Sequence, residues 1–320
     1  MQQAKLTTKE LMCLRAVVTI ESPRASRIAA AIGTSPPHVS RVVASLEDKG
    51  FLTTKKNGLS RIVALSETKH ATLLRRLVLE FGHMSFEELL SGTSLEVLSA
   101  ICSLALMSRK EIAQAALVSE ASVALVLTKL KRVGVVQKAG ATYDVSPRFQ
   151  TLRGFVVEFR HYLNQRTARE FASDAVVLWE CNSEFIIETK TSHAKDGFQL
   201  TGVSSFARFG ISLLAPKSYF FYSPFPRTRK LRLEDVVLHS VLVPNTSLLP
   251  VLLVWKKQEK TMRIEYLEAQ AEKYRATEIV RKIVTYFRTE GRERGSGFPT
   301  WDEFVLRAKE YGILLVPQIM

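Results

Sequence analysis

The chain repeats itself. Leu11, Leu14, Ile28, Ala29, Ser35, Val39, Leu46 and Gly50 recur as Leu95, Leu98, Ile112, Ala113, Ser119, Val123, Leu130 and Gly134, each 84 residues further on. After a shorter second hairpin the spacing becomes 78, and Leu-Val-Leu-Glu-Phe at 77–81 falls on Phe-Val-Val-Glu-Phe at 155–159. One supersecondary unit therefore occurs twice, and whatever explains the first copy has to explain the apolar positions of the second.

Within the first copy the apolar residues follow helical spacing three times and then alternate. Thr7 and Thr8 precede a helix that runs to about Ile20, with Leu11, Leu14 and Val17/Val18 on one face. A short helix over about 24–32 turns Ile28, Ala29 and Ile32 inward and is closed by Gly33, a residue that accepts the left-handed conformation of a helix end. Ser35 then stands at a cap position, with Pro36 and Pro37 in the first turn, where a missing amide N–H costs little. Val39, Val42, Val43 and Leu46 stripe this third helix, and Gly50 ends it. Strands over about 51–55 and 60–65 flank Asn57-Gly58, a dipeptide suited to a tight hairpin turn.

Three helices followed by a two-stranded wing make a winged helix-turn-helix. The order and spacing in residues 26–67 resemble the MarR-type winged helix-turn-helix transcriptional regulators, over about residues 5–82, with a looser second match over about 86–168. The resemblance implies double-stranded DNA as the partner, a third helix that reads bases and a wing that grips the neighbouring groove. With the valines turned inward, Ser35, His38, Ser40, Arg41 and Ser45 are left on outer positions of that helix. Arg41 is the candidate base reader, because a guanidinium pairs bidentately with guanine; Ser40, His38 and the helix N-terminus are candidates for phosphate. Lys55, Lys56, Asn57 and Arg61 cluster on the wing, where cations follow a phosphate backbone or enter a minor groove.

Charge agrees with that partner. The 320 residues hold 45 Lys and Arg against 31 Asp and Glu, a net charge of +14. In the second copy Ala124 and Leu125 replace Ser40 and Arg41, Glu120 lies near the helix start, and the wing keeps only Lys138. That face suits protein packing or dimerisation better than DNA, with Lys129, Lys131 and Arg132 as the reserve for a nucleic-acid contact. Two amphipathic helices follow the wings, striped by Leu74, Leu77, Val78 and Phe81 and by Phe149, Leu152, Phe155, Val156, Phe159 and Tyr162. They serve either a homodimer interface or internal packing.

From about residue 170 the pattern changes to short apolar runs at 175–180, 184–190, 218–224, 236–243 and 248–255, with helical segments near 199–209, 265–288 and 300–311. Residues 201–211, 215–224 and 231–243 resemble the C-terminal domains of abortive-infection-type antitoxins, which implies a protein partner or a small-molecule effector for this part. The overall expectation is an α+β protein with two tandem winged helix-turn-helix domains, 1–85 and 86–168, followed by a C-terminal α/β domain, 169–320. An alternative reading is a metal-dependent nucleic-acid-processing enzyme. Asp174 and the Glu188-x-Lys190 pair at the end of an apolar strand have the outline of a nuclease site, where carboxylates hold Mg²⁺. No acidic Pro-Asp pair precedes them, and Glu234, Asp235 and His239 read as a helix start rather than a metal site. No catalytic residue, metal or cofactor is expected.

Cys13, Cys102 and Cys181 are isolated and without metal-ligand spacing, so they read as core residues. The strongest apolar run, 248–255, is far short of the ~20 residues needed to span a bilayer, which excludes a membrane role for it and makes a cytoplasmic protein the expectation.

Overall fold

The computed structural model describes residues 5–57, 60–104, 107–194, 197–214, 216–224 and 230–313. The chain divides into two compact units between Arg166 and Thr167. In the first, α1 (Thr8–Thr19) starts at a capping box: Thr7 accepts from the Glu10 amide while the Glu10 carboxylate accepts from the Thr7 amide. Helix α2 (Ala25–Ile32) ends at Gly33 with φ of 60°, and α3 (Pro36–Asp48) follows. Strands β1 (Leu52–Asn57) and β2 (Ser60–Leu65) pair antiparallel, with Asn57 opposite Ser60. That register corrects the position of the turn. Asn57 is the last residue of β1, and the two connecting residues, Gly58 and Leu59, lie outside the described residues. Pro23 accepts from the Val63 amide at 2.9 Å, and Arg24 bridges Ile62, which lays the start of α2 alongside β2.

After α4 (Lys69–Glu80) and the short α5 (Phe86–Leu89) come α6 (Thr93–Ser103), β3 (Met107–Ser108), α7 (Arg109–Ala116), α8 (Glu120–Arg132), β4 (Val136–Ala139) and β5 (Thr142–Val145). Helices α7 and α8 begin and end 84 residues after α2 and α3, and Gly134 repeats the positive φ of Gly50, 72° against 71°. The three strands order as β3-β5-β4. A 3-10 turn at Pro147–Phe149 leads into the long α9 (Gln150–Phe171).

One continuous apolar core occupies this unit, from Leu6 to Leu163. The stripes of α4 and α9 are consumed in it: Leu74, Leu77, Val78, Phe81, Phe149, Leu152, Phe155, Val156 and Phe159 are all buried. Of the two roles open to those stripes, internal packing is the one they fill. At its centre Phe51, His70, Phe159 and Tyr162 meet ring to ring, with His70 to Phe51 edge-on at 4.6 Å and His70 to Tyr162 at 4.6 Å. His70 is 1 % exposed, and its Nε2 faces the Lys49 carbonyl at 3.1 Å, so that nitrogen carries the proton. Burial lowers its pKa from 6.5 to about 4, against the opposing pull of that carbonyl. Charge is buried only in pairs. Arg160 donates through Nε to Ser99 Oγ at 3.0 Å and through Nη2 to Glu96, and Arg166 forks onto Asp48 with two contacts of 2.8 Å. Asp48 ends α3, so this fork and the ring cluster hold the end of α3 and the start of the wing to α9.

The second unit contains β6 (Val176–Cys181), β7 (Glu184–Thr189), β8 (Phe198–Leu200), a 3-10 segment (Gly202–Phe209) and β9 (Ser218–Tyr222). The helices α10 (Leu233–Leu242), α11 (Leu248–Lys257), α12 (Ile264–Lys273), α13 (Thr277–Arg288) and α14 (Trp301–Glu310) come after them. The sheet runs β6-β7-β9-β8 with every pairing antiparallel. Strands gathered first and helices after make this part α+β rather than α/β. Side chains alternate across the sheet: Phe185, Ile187, Phe198 and Phe220 join Ala168 and Phe171 in one core, while Phe221 stacks on His239 of α10 at 4.2 Å.

Two apolar runs expected as strands, 236–243 and 248–255, are α10 and α11. Both are buried almost all round, which removes the polar face that marks a helical period. The Asp235 carboxylate accepts from the Arg232 amide at 3.0 Å and so opens α10, in line with the helix-start reading of Glu234-Asp235. The three cysteines are buried and free, and burial pushes their thiols up to about 12. Among the described residues no single helix is long and apolar enough to cross a membrane.

Gly50 and Gly33 share a positive φ but not surroundings. A β-carbon on Gly50 falls 2.4 Å from Tyr162 Cζ, whereas one on Gly33 meets nothing within 4 Å. Gly33→Ala is expected to cost about 1–2 kcal/mol in denaturant unfolding, and Gly50→Ala about 2–4 kcal/mol, because overpacking is added to the backbone term. A Tyr162→Ala background should recover part of the second loss only. For His70 the unfolded chain binds the proton more tightly than the folded one. Stability is therefore full above about pH 6.5 and declines as the pH falls toward about 4, by about 3 kcal/mol in total. In His70→Phe the pH dependence of the unfolding midpoint in that window should flatten.

Candidate nucleic-acid interface

The exposed side of the first unit's helix-turn-helix is built by what the core takes away. Val39, Val42, Val43 and Leu46 are buried, which leaves Arg41 and Ser40 fully outward and His38 half-buried. Ser35 has the extended backbone of a cap, but its side chain makes no capping hydrogen bond. Pro36 and Pro37 remove two of the amides that a helix start would offer to phosphate, so the expectation of an anion-binding helix N-terminus is weakened at α3. Ser40 Oγ donates to the Pro36 carbonyl at 3.1 Å, which leaves only its lone pairs for an outside donor.

Ser45 is not on the outer face. Its hydroxyl donates to Glu10 Oε1 at 2.7 Å, beside the Lys49 ammonium at 2.6 Å from the same oxygen, in a site where Glu10 is buried. Burial works to raise the Glu10 pKa, but the hydrogen bonds from Lys49, the Thr7 amide and Ser45 outweigh it, and the carboxyl is held below its usual value. Ser45 therefore belongs to the joint between α1 and α3. Helical spacing missed this because 45 lies at the edge of the buried stripe, and only the neighbouring helix shows which way an edge residue turns.

On the wing, Lys55 is exposed on β1. Lys56, Asn57 and Arg61 occupy the hairpin strands, with side chains outside the described part. The structure adds two cations that the sequence reading did not single out. Arg24 is exposed at the cap of α2 and bridged to Ile62 of β2, and Arg27 is exposed in the first turn with Nη1 donating to the Glu21 carbonyl at 3.0 Å. The amides of Ala25, Ser26 and Arg27 open α2 without intrahelical partners. Arg24 follows Ser-Pro at a helix start, the one local signal that pointed to it.

The corresponding face of α8 is chemically different. Leu125 is 76 % exposed, Glu120 pairs with Arg109 at 3.3 Å, and Ser119 caps the Ser122 amide at 3.1 Å. In the second unit the nuclease outline comes apart. Asp174 accepts from the Thr189 hydroxyl at 2.6 Å and from the Lys190 amide at 2.8 Å, bonds that hold its carboxyl below the usual range, and Glu188 is paired with Lys217. Glu234 accepts from the Arg263 amide at 2.7 Å, and His239 Nδ1 lies 2.8 Å from Thr201 Oγ1, so this group ties α10 to its neighbours. Among the described residues no group of three or more His, Cys, Asp or Glu is placed to hold a metal ion.

Residues 6–58 match the MarR family model, and residues 195–313 match the model described as HVO_2833_C, C-terminal. No curated protein matches the chain. The first match spans α1 to the end of the first wing strand, and with the helix order and hairpin described above it makes this segment a winged helix of the MarR type.

The assignment of Ser45 separates structure from recognition. Ser45→Ala should lower stability by about 1–3 kcal/mol in urea, as expected for losing a hydrogen bond to a buried carboxylate. Ser40→Ala, whose hydroxyl bonds only its own helix, should stay within about 0.5 kcal/mol of the parent.

Proposed function

We propose that the protein is a sequence-specific double-stranded DNA-binding transcriptional regulator whose reading head is residues 1–85. The observation that carries this is the arrangement of Arg41 on the outer face of α3 with exposed cations on both flanks, Lys55 on the wing and Arg24 at the start of α2. Arg41 reads a base edge in the major groove, and His38 and Ser40 accept or donate beside it. Lys55, Lys56 and Arg61 on the wing, and Arg24 and Arg27 on α2, neutralise phosphates and set the register of the helix. Ser35 and Asn57 contribute backbone geometry at the two turns.

Residues 86–168 form a second winged helix that serves assembly as a homodimer. Support comes from the exposed Leu125 where the reading head has Arg41, and from the absence of a polar ridge on that side of α8. Residues 169–320 sense a protein partner or an effector, in the manner of an antitoxin, and carry no catalysis; the carboxylates of this part are engaged in capping and pairing as described. The protein acts in the cytoplasm.

Footprinting and binding titrations on genomic DNA fragments test this reading. Lys55→Ala and Arg24→Ala should weaken binding to all sequences and reduce the salt slope by about one each. Arg41→Ala should instead relax preference at one base pair at a cost of about 1–3 kcal/mol. Leu125→Arg should shift sedimentation toward the monomer while leaving single-site contacts intact. An Arg41→Ala protein with unchanged sequence preference would remove α3 as the reading helix.

A further inference from the structure

A cavity of about 370 Å³ opens in the first unit where the turn after α4 meets the C-terminal end of α8 and the 3-10 turn before α9. That volume lies in the range of small-molecule sites, about 300–1,000 Å³. Its lining has two chemistries. Lys129, Arg132 and Arg148 bring three cations against one carboxylate, that of Glu88. Met84, Leu89, Val133 and Phe149 supply apolar surface, with Val133 38 % exposed at the end of α8.

The walls are held in place. Lys129 donates from α8 to the Glu88 carbonyl, and Arg15 of α1 donates to the Met84 and Gly82 carbonyls and pairs with Glu87 at 3.3 Å. Leu89 and Phe149 are anchored in the core. Arg132 and Arg148 are exposed and enter no ion pair with the described residues, so their charge is directed to solvent or to a ligand. A pinned cavity with an apolar floor and two uncommitted guanidiniums matches a ligand that carries both features at once.

We propose that this cavity binds a small organic anion with an apolar body, the acid group lying at Arg132 and Arg148 and the body against Met84, Leu89, Val133 and Phe149. A carboxylate and a phosphate monoester meet the same guanidinium chemistry. The site is independent of the DNA-binding reading.

The test uses the full chain without DNA and 1-anilinonaphthalene-8-sulfonate as the probe, an anion on a fused aromatic body whose fluorescence rises in apolar surroundings. The expected result is saturable binding of one equivalent, weakened about tenfold or more in Arg132→Gln/Arg148→Gln through the loss of two charge-assisted contacts. Both residues are exposed, and an unchanged melting midpoint will show that the double variant is folded. N-phenyl-1-naphthylamine, the same body without the acid, should bind parent and double variant alike. Competition by naphthalene-1-carboxylate and by 1-naphthyl phosphate distinguishes the two acid groups, and displacement by either supports the site. Absence of saturable binding, equal probe affinity in the double variant, or displacement by inorganic phosphate as effective as by the naphthyl compounds would each overturn the proposal.

Discussion

The first unit depends on how closely its backbone can pass one tyrosine. At Gly50 the chain leaves α3, turns through a positive φ of 71° and enters the wing, and the space that any β-carbon would occupy is filled by the ring of Tyr162. That approach brings Phe51 onto Phe159 and His70, and it sets the Lys49 carbonyl where the buried imidazole can donate to it. The Arg166 fork onto Asp48 secures the same turn from the polar side. The reading helix and the wing thus take their mutual angle from α9, more than 100 residues away in sequence, rather than from contacts within the hairpin.

The same rule, that a buried polar group must be satisfied, sorts the polar residues of the interface. Glu10 is buried and needs donors, so it recruits Lys49 and Ser45 and removes both from the outer surface. Ser40 satisfies itself on its own helix, and Arg41 has no such demand placed on it. What remains outward is a short ridge flanked by cations, and it is this remainder, more than the count of basic residues, that gives the proposed recognition its geometry. The repeat makes the contrast internal. Helix α8 occupies the same place in the same succession of elements, with the same glycine turn after it, yet presents a leucine and a paired glutamate.

In the second unit, burial hid the secondary structure. Helix α10 is enclosed by the sheet on one side and by other helices elsewhere, so Val236, Val237 and Leu238 are buried together and leave no period to read. The capping carboxylate at Asp235 was a legible signal of a helix start, and it was correctly taken as such even while the run after it was assigned to a strand. Pro250 in the first turn of α11 is a second helix-start signal of the same kind.

The sequence by itself determined the repeat, the order of helices and hairpins in the first unit, the glycine turns and the inward stripes of α3, α4 and α9. It could do so because each rests on spacing along one element or on the backbone preference of a single residue. Only the tertiary structure decided that Ser45 faces Glu10, that the stripes of α4 and α9 are spent internally, that Arg24 lies beside the wing, and that Asp174 and Glu188 bind their neighbours instead of converging. Each of those outcomes depends on a partner distant in the chain, and no local pattern records which donor a carboxylate will meet once two elements pack.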